Sequence, residues 1–293
     1  MSKINVIGAA CIDILVSSID KDQFFTNKYK VDNIKTYYGG DGLNEAVVLS
    51  HFKADTRLIT VLGNDNSGKQ VLDFLEAKNV LYNSNIIKND IETYISLVLI
   101  DENGQRSFVG NKNGSVRQLE LSDINLDEDC EIVSFSSMFI SPKLGNNELL
   151  KLFKQIKDKG IKLCVDCSTP KNNEKITDMT CLKYADYFFC NETEASLLCD
   201  SDSIEEIERI FKENGVNTII KCGSKGAYYN GKYYNIESID KPTDTTGAGD
   251  CFVAGFVLGL YNNLSIEDCI KQGNTFGRNA CEYIGATDWI NHL

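Results

Sequence analysis

The chain has 293 residues, long for one ordinary domain but within reach of a single large α/β unit. Its 42 acidic residues outnumber 30 Lys and Arg, and the resulting net charge of −12 repels phosphate backbones, so nucleic acid is not an expected partner. The opening stretch MSKINVIGAACID meets Asp13 before any long apolar run develops, which predicts neither a signal peptide nor a membrane anchor, and a cytoplasmic protein.

Short apolar runs rich in β-branched residues come first as INVIGAA, then as RLITVLG, EIVSF, IKLCVD, DYFFC and NTIIKCG, with amphipathic helical stretches between most of them. That alternation predicts βα units: an α/β fold whose central, mostly parallel sheet is flanked by helices. Two regions break the pattern, at about 11–37 and 90–112. Both pattern as strands without an intervening helix, the second as TYISLVLIDENGQRSFVG with an Asn103-Gly104 turn. They predict a small β-sheet inserted as a lid over the main one. Nothing resembles an internal repeat or a Pro-rich linker, so one domain is expected over 1–293. Eleven scattered cysteines suit reduced core residues. Only Cys164 and Cys167 form a CxxC, and the two histidines, His51 and His292, stand alone, so four zinc ligands cannot be assembled from these motifs.

Chemistry concentrates in Asp244-Thr245-Thr246-Gly247-Ala248-Gly249-Asp250, which precedes the apolar helical run VAGFVLGLY. Small residues let backbone approach a ligand, and a helix starting there aims unpaired N–H groups at an anion. An Asp in a first helical turn is by itself more often structural. Beside an anion site it acquires a second role, as a base orienting an attacking hydroxyl. GNDNSGKQ from Gly63 nearly spells a Walker A loop, but Gln70 stands where a metal-binding Ser or Thr is needed. GxGxxG is absent after the strands, which leaves a dehydrogenase without its fingerprint.

DTTGAGDCFVAGF resembles the C-terminal signature of the ribokinase-like (phosphofructokinase-B) carbohydrate kinases, and GGDGLNEA (Gly39 to Ala46), with Gly63 downstream, resembles their N-terminal signature. Lys53 departs from that pattern, which prefers Gly or Ser, at what should be the far end of a helix. VLGNDNSG, then Asn191-Glu192-Thr193-Glu194, then KCGSKGAYY from Lys221 follow in the family's order. The resemblance implies a three-layer ribokinase-like fold with the lid. It also implies an ATP-dependent kinase that phosphorylates a primary hydroxyl of a small sugar, such as ribose, fructose or a 2-keto-3-deoxygluconate-like acid. A nucleoside kinase is the alternative within the superfamily. A non-catalytic sugar-binding regulator is the alternative of another class, and the intact GAGD argues against it.

By the same resemblance Asp250 is the base, and Gly247, Ala248 and Gly249 supply the amides that receive charge. Asp13, Gly39, Gly40, Asp41, Gly42 and Asn44 bind the sugar. Asn191, Lys221, Gly223, Ser224, Gly226 and Gly249 face the nucleotide. Glu194 serves magnesium through water, and Asp244 and Thr246, with Gly285 and Ala286, hold potassium in many relatives. Relatives also dimerise through the lid, where Ile95, Leu97 and Leu99 would otherwise be uncovered. Plainer readings stand beside these. Asp13 is a turn Asp, and Asn191 with Glu194 is a helix cap. Asp244 caps its own turn, and the loop at Lys221 opens a hairpin in which KYYN from Lys232 pairs with AYYN from Ala227. Lys112, Lys143 and Arg106 are the cations considered for an acidic sugar.

Overall fold

The computed structural model describes residues 2–20, 30–101, 106–168 and 178–293. In chain order it forms β1 (Ile4–Ile7), β2 (Cys11–Ile19), β3 (Asn33–Gly39), α1 (Asp41–His51), β4 (Thr56–Ile59), β5 (Leu62–Gly63), α2 (Asn66–Ala77), β6 (Leu81–Tyr82) and β7 (Ile87–Lys88). Then come β8 (Ile95–Asp101), β9 (Arg106–Gly110), β10 (Ile132–Met138), α3 (Asn146–Asp158), β11 (Lys162–Cys167), β12 (Tyr187–Asn191), α4 (Glu192–Cys199), α5 (Ile204–Glu213) and β13 (Thr218–Lys221). β14 (Ala227–Tyr229), β15 (Lys232–Tyr234), α6 (Ala248–Tyr261) and α7 (Ile266–Ala280) complete it.

Nine strands make the main sheet, in the order β15-β14-β13-β12-β11-β10-β1-β4-β6. All neighbours from β13 to β6 are parallel, whereas β14 pairs antiparallel both with β13, where Lys221 faces Ala227, and with β15, where Ala227 faces Tyr234. Parallel strands covered on both faces read as continuous apolar runs. β1 and β10 accordingly have every residue buried. Neighbouring residues supply opposite layers: Phe189 packs with Phe252 and Phe256 of α6, whereas Phe188 packs with Phe211 of α5. Cys164 and Cys167 divide between the same two layers, so this CxxC does not present two thiols to one ligand.

β3-β2-β8-β9 form a separate four-stranded sheet, in which β2 and β8 run parallel and the outer pairs antiparallel. Tyr38 stacks on Phe74 of α2 at 4.4 Å between ring centroids, which ties this sheet to the main body. Of the residues expected to be uncovered, only Leu97 is. Ile95, at the start of β8, packs against the main core, and Leu99 is half-buried. Among the described residues of this sheet, the exposed large apolar side chains are instead Ile34, Phe108 and Val109 together with Leu97. The Asn103-Gly104 turn and the Arg106 side chain lie outside the described residues. Lys53 follows the C-terminal end of α1, with φ of 62°, at the opposite end of the helix from Asp41.

Candidate active site

β11, β12 and β13 bring Asp166, Asn191 and Lys221 to one edge, with Asn191 and Lys221 in register. Ligands bind beyond the carboxyl ends of such strands. The N-termini of α1 and α6 meet there. Asn44 Nδ2 donates to Asp250 Oδ2 at 2.7 Å, joining residues 206 positions apart in the chain.

Gly247 caps α6 in the left-handed region (φ 72°), and Asp250 lies in the first turn. Among the described residues the Gly247, Gly249 and Asp250 amides make no hydrogen bond, whereas the Ala248 amide donates to Thr245 O at 3.3 Å. Two of the three small-residue amides are therefore left without a partner among the described residues, and the third closes a turn. Burial holds the Asp250 carboxyl above its ordinary value, partly offset by the Asn44 hydrogen bond and the Lys221 charge.

Asp13 stands within β2 rather than in a turn, so the turn reading fails. It faces Gly39 closely enough that a Cβ there would collide with Asp13 Oδ2, which is why a glycine occupies that position. Burial, with a smaller push from Asp250 and against a weak bond from Cys11 Sγ at 3.8 Å, raises Asp13 to about 6. Asn44 is 4% exposed, and its Oδ1 has no partner among the described residues, leaving a buried acceptor beside Asp250. Gly40 and Gly42 flank Asp41 at the head of α1. Asp41 is tied down: Oδ1 accepts from Ala9 N at 3.0 Å, Gly42 N at 2.7 Å and the Ser137 hydroxyl, and Oδ2 accepts from Ser168 Oγ at 3.3 Å. Burial, then the Asp250 charge, push Asp41 up to about 7.

Gly223, Ser224 and Gly226 line the same cleft as Lys221 and Gly249, opposite a wall of Ile236, Ile239 and Pro242. The loop joins β13 to β14, which pairs in turn with β15, so the hairpin expected at Lys221 is present. Asn191 and Glu194 do form a reciprocal cap, at 2.9 Å in each direction. The described residues contain no cluster of three or more His, Cys, Asp or Glu side chains that could hold a metal ion. Asp244 accepts from Thr246 N at 2.9 Å and from Gly285 N at 3.1 Å, a turn cap that also ties the loop to the C-terminal segment.

Two buried groups escaped the sequence reading. Asp166 meets Lys221 at 2.6 Å. Burial is the largest influence on Lys221 and opposes its charge, but Asp166, Glu194 and Asp250 outweigh it and hold the ammonium above its ordinary value. Glu45, fully buried, accepts from Ser134 Oγ at 2.5 Å, and burial pushes its carboxyl well up. It stands inside GGDGLNEA, directly after Asn44, which is the signal that could have found it.

Over 276 residues the chain is 27% identical to the 2-dehydro-3-deoxygluconokinase of Haemophilus influenzae, spanning 85% of this chain and 87% of that protein. A ribokinase structure from Thermotoga maritima superposes with a TM-score of 0.79 at 22% identity, covering 100% of this chain and 99% of the other. The ribokinase of Arabidopsis thaliana, solved with ribose and ATP, gives 0.76 at 22% identity and covers 99% and 96%. The fold is thus ribokinase-like. A model of the pfkB family carbohydrate kinases matches residues 1–292, and the chain belongs to that family.

Proposed function

We propose that this sugar kinase transfers the γ-phosphate of ATP to a primary hydroxyl of a small sugar or sugar acid, with Asp250 as the base. The observation that carries this is the 2.7 Å bond between Asn44 and Asp250, which sets a substrate-loop amide against the one carboxylate in the first turn of α6. Asp13 and the unpartnered Asn44 Oδ1 hold sugar hydroxyls on the side away from ATP. Asp250 takes the proton of the attacking hydroxyl while the Gly247 and Gly249 amides receive the developing charge. Magnesium, carried on the ATP phosphates, supplies charge neutralisation. Glu194 meets it through water, and the loop Lys221–Gly226 receives the nucleotide.

Asp244 and Thr246 flank a potassium site in this proposal, where a bound ion would order the amides of α6 without touching substrate. Exposed Ile34, Leu97, Phe108 and Val109 support a homodimer through the small sheet, which acts as a lid over the sugar. All eleven cysteines are free, which favours the reducing cytoplasm, and no helix among the described residues is long and apolar enough to cross a membrane. Lys143 is within 3.8 Å of Glu120, and Lys112 is exposed. A panel of ribose, fructose, 2-keto-3-deoxygluconate and nucleosides, assayed for ADP release with magnesium and ATP, tests the proposal. Turnover of a sugar is expected, and turnover of nucleosides alone would overturn it.

A further inference from the structure

A buried ion pair faces the anion hole. Asp166, next to last in β11, and Lys221, last in β13, lie on either side of β12, and their side chains are 5% and 14% exposed. Such a pair often adds no stability over apolar side chains of the same shape, so its burial calls for another role. Lys221 does not serve Asp166 alone. A Cβ at Gly249 would stand 3.3 Å from Nζ, so the ammonium abuts the backbone whose amide faces the anion, and Glu194 and Asp250 lie within its electrostatic reach.

Resting on the assignment of Asp250 as base, we propose that Lys221 is a further catalytic residue that donates to the oxygens of the transferring γ-phosphoryl group, and that Asp166 is the positioning residue holding it there. As the sugar oxygen bonds to phosphorus, its proton passes to Asp250. The bond from phosphorus to the β–γ bridging oxygen breaks, and the electron pair stays on ADP. Charge gathers on oxygens facing the ammonium, which keeps its protons throughout. A compact ammonium on a flexible stem suits a group whose oxygens move during transfer. The anchoring carboxylate stops that stem from wandering.

The test compares Lys221→Met, Asp166→Asn, the Lys221→Met/Asp166→Asn double variant and Asp250→Asn. Affinities for ADP and for the non-hydrolysable analogue AMP-PNP, measured by calorimetry with magnesium, need no acceptor. Lys221→Met should weaken AMP-PNP about tenfold relative to ADP, whereas Asp250→Asn should leave that ratio unchanged. With ribose, fructose and 2-keto-3-deoxygluconate as acceptors, Lys221→Met should lower kcat by roughly 10²–10³, the scale for losing one charge-stabilising donor. Asp166→Asn should lower kcat less and leave sugar KM unmoved, at a cost in Tm because the buried Lys221 ammonium loses its carboxylate. The double variant leaves no orphaned buried charge, so it should regain Tm while kcat stays low. An unchanged AMP-PNP to ADP ratio in Lys221→Met, or wild-type kcat in the double variant, would reduce the pair to a structural contact. Wild-type turnover in Asp250→Asn would instead remove the base on which the proposal rests.

Discussion

Gly39→Ala perturbs the sugar side without removing a single functional group. The added Cβ would collide with Asp13 Oδ2 and stand 3.2 Å from Asp13 Cγ. Ordinary contact needs about 3.5 Å or more, so the carboxylate must retreat by roughly 1.5 Å. A misplacement of about 1 Å in a positioning contact can cost on the order of 10² in rate. Sugar kcat/KM should therefore fall about that far, while KM for ATP holds. Asp13→Ala alone should likewise raise sugar KM and spare ATP. Gly39 ends a strand and is not among the residues with positive φ, so alanine adds little backbone strain and Tm should change little. Because the effect runs through Asp13, Gly39→Ala should cost nothing further in an Asp13→Ala background. Steady-state kinetics on both single variants and the double, with melting curves, make the comparison. Full additivity, or unchanged sugar affinity in Gly39→Ala, would refute the contact between Asp13 and substrate.

Asp13 at about 6 and Asp41 at about 7 are raised above the unfolded carboxylate value, so between about pH 4 and pH 7 the native state binds more protons than the unfolded chain. Their contribution to stability therefore grows as pH falls from 8 towards 5; Asp41→Asn should flatten that part of the Tm–pH curve, and an unaltered curve would contradict the assignment. Glu194→Gln keeps a side chain able to cap Asn191 N but removes its charge, so Tm should hold while kcat falls and the magnesium requirement rises in a titration. Activity in sodium, potassium and tetramethylammonium salts at matched ionic strength tests the cation beside Asp244. A potassium preference is expected, and identical rates would leave Asp244 as a turn cap alone.

The main sheet was legible because its strands are buried on both faces, leaving runs such as EIVSF and DYFFC that no surface strand would carry. β5, β6 and β7 have two residues each, too few for a period, and were not distinguished as strands. The family's motifs also named residues that the fold brings together: Asn44 and Asp250, from two separate motifs, share a hydrogen bond, and Gly39 lies against Asp13. What spacing could not give was pairing. Asp166 lay inside IKLCVD, where the CxxC drew the attention, and its partner Lys221 is 55 residues away. The Ala248 amide was expected to face the anion with its neighbours, but its turn to Thr245 O depends on backbone dihedrals that a GAG tripeptide leaves open. Ile95 was expected to be uncovered because strand alternation gives a face but not what lies against it.

Asp250→Asn is isosteric and can keep the bond from Asn44, so fold and ATP affinity should survive while the proton acceptor is lost. At saturating ATP and sugar its kcat should fall by at least ~10², with the ATP dissociation constant and Tm unchanged. Turnover near the wild-type rate in that variant would show that Asp250 is not the base.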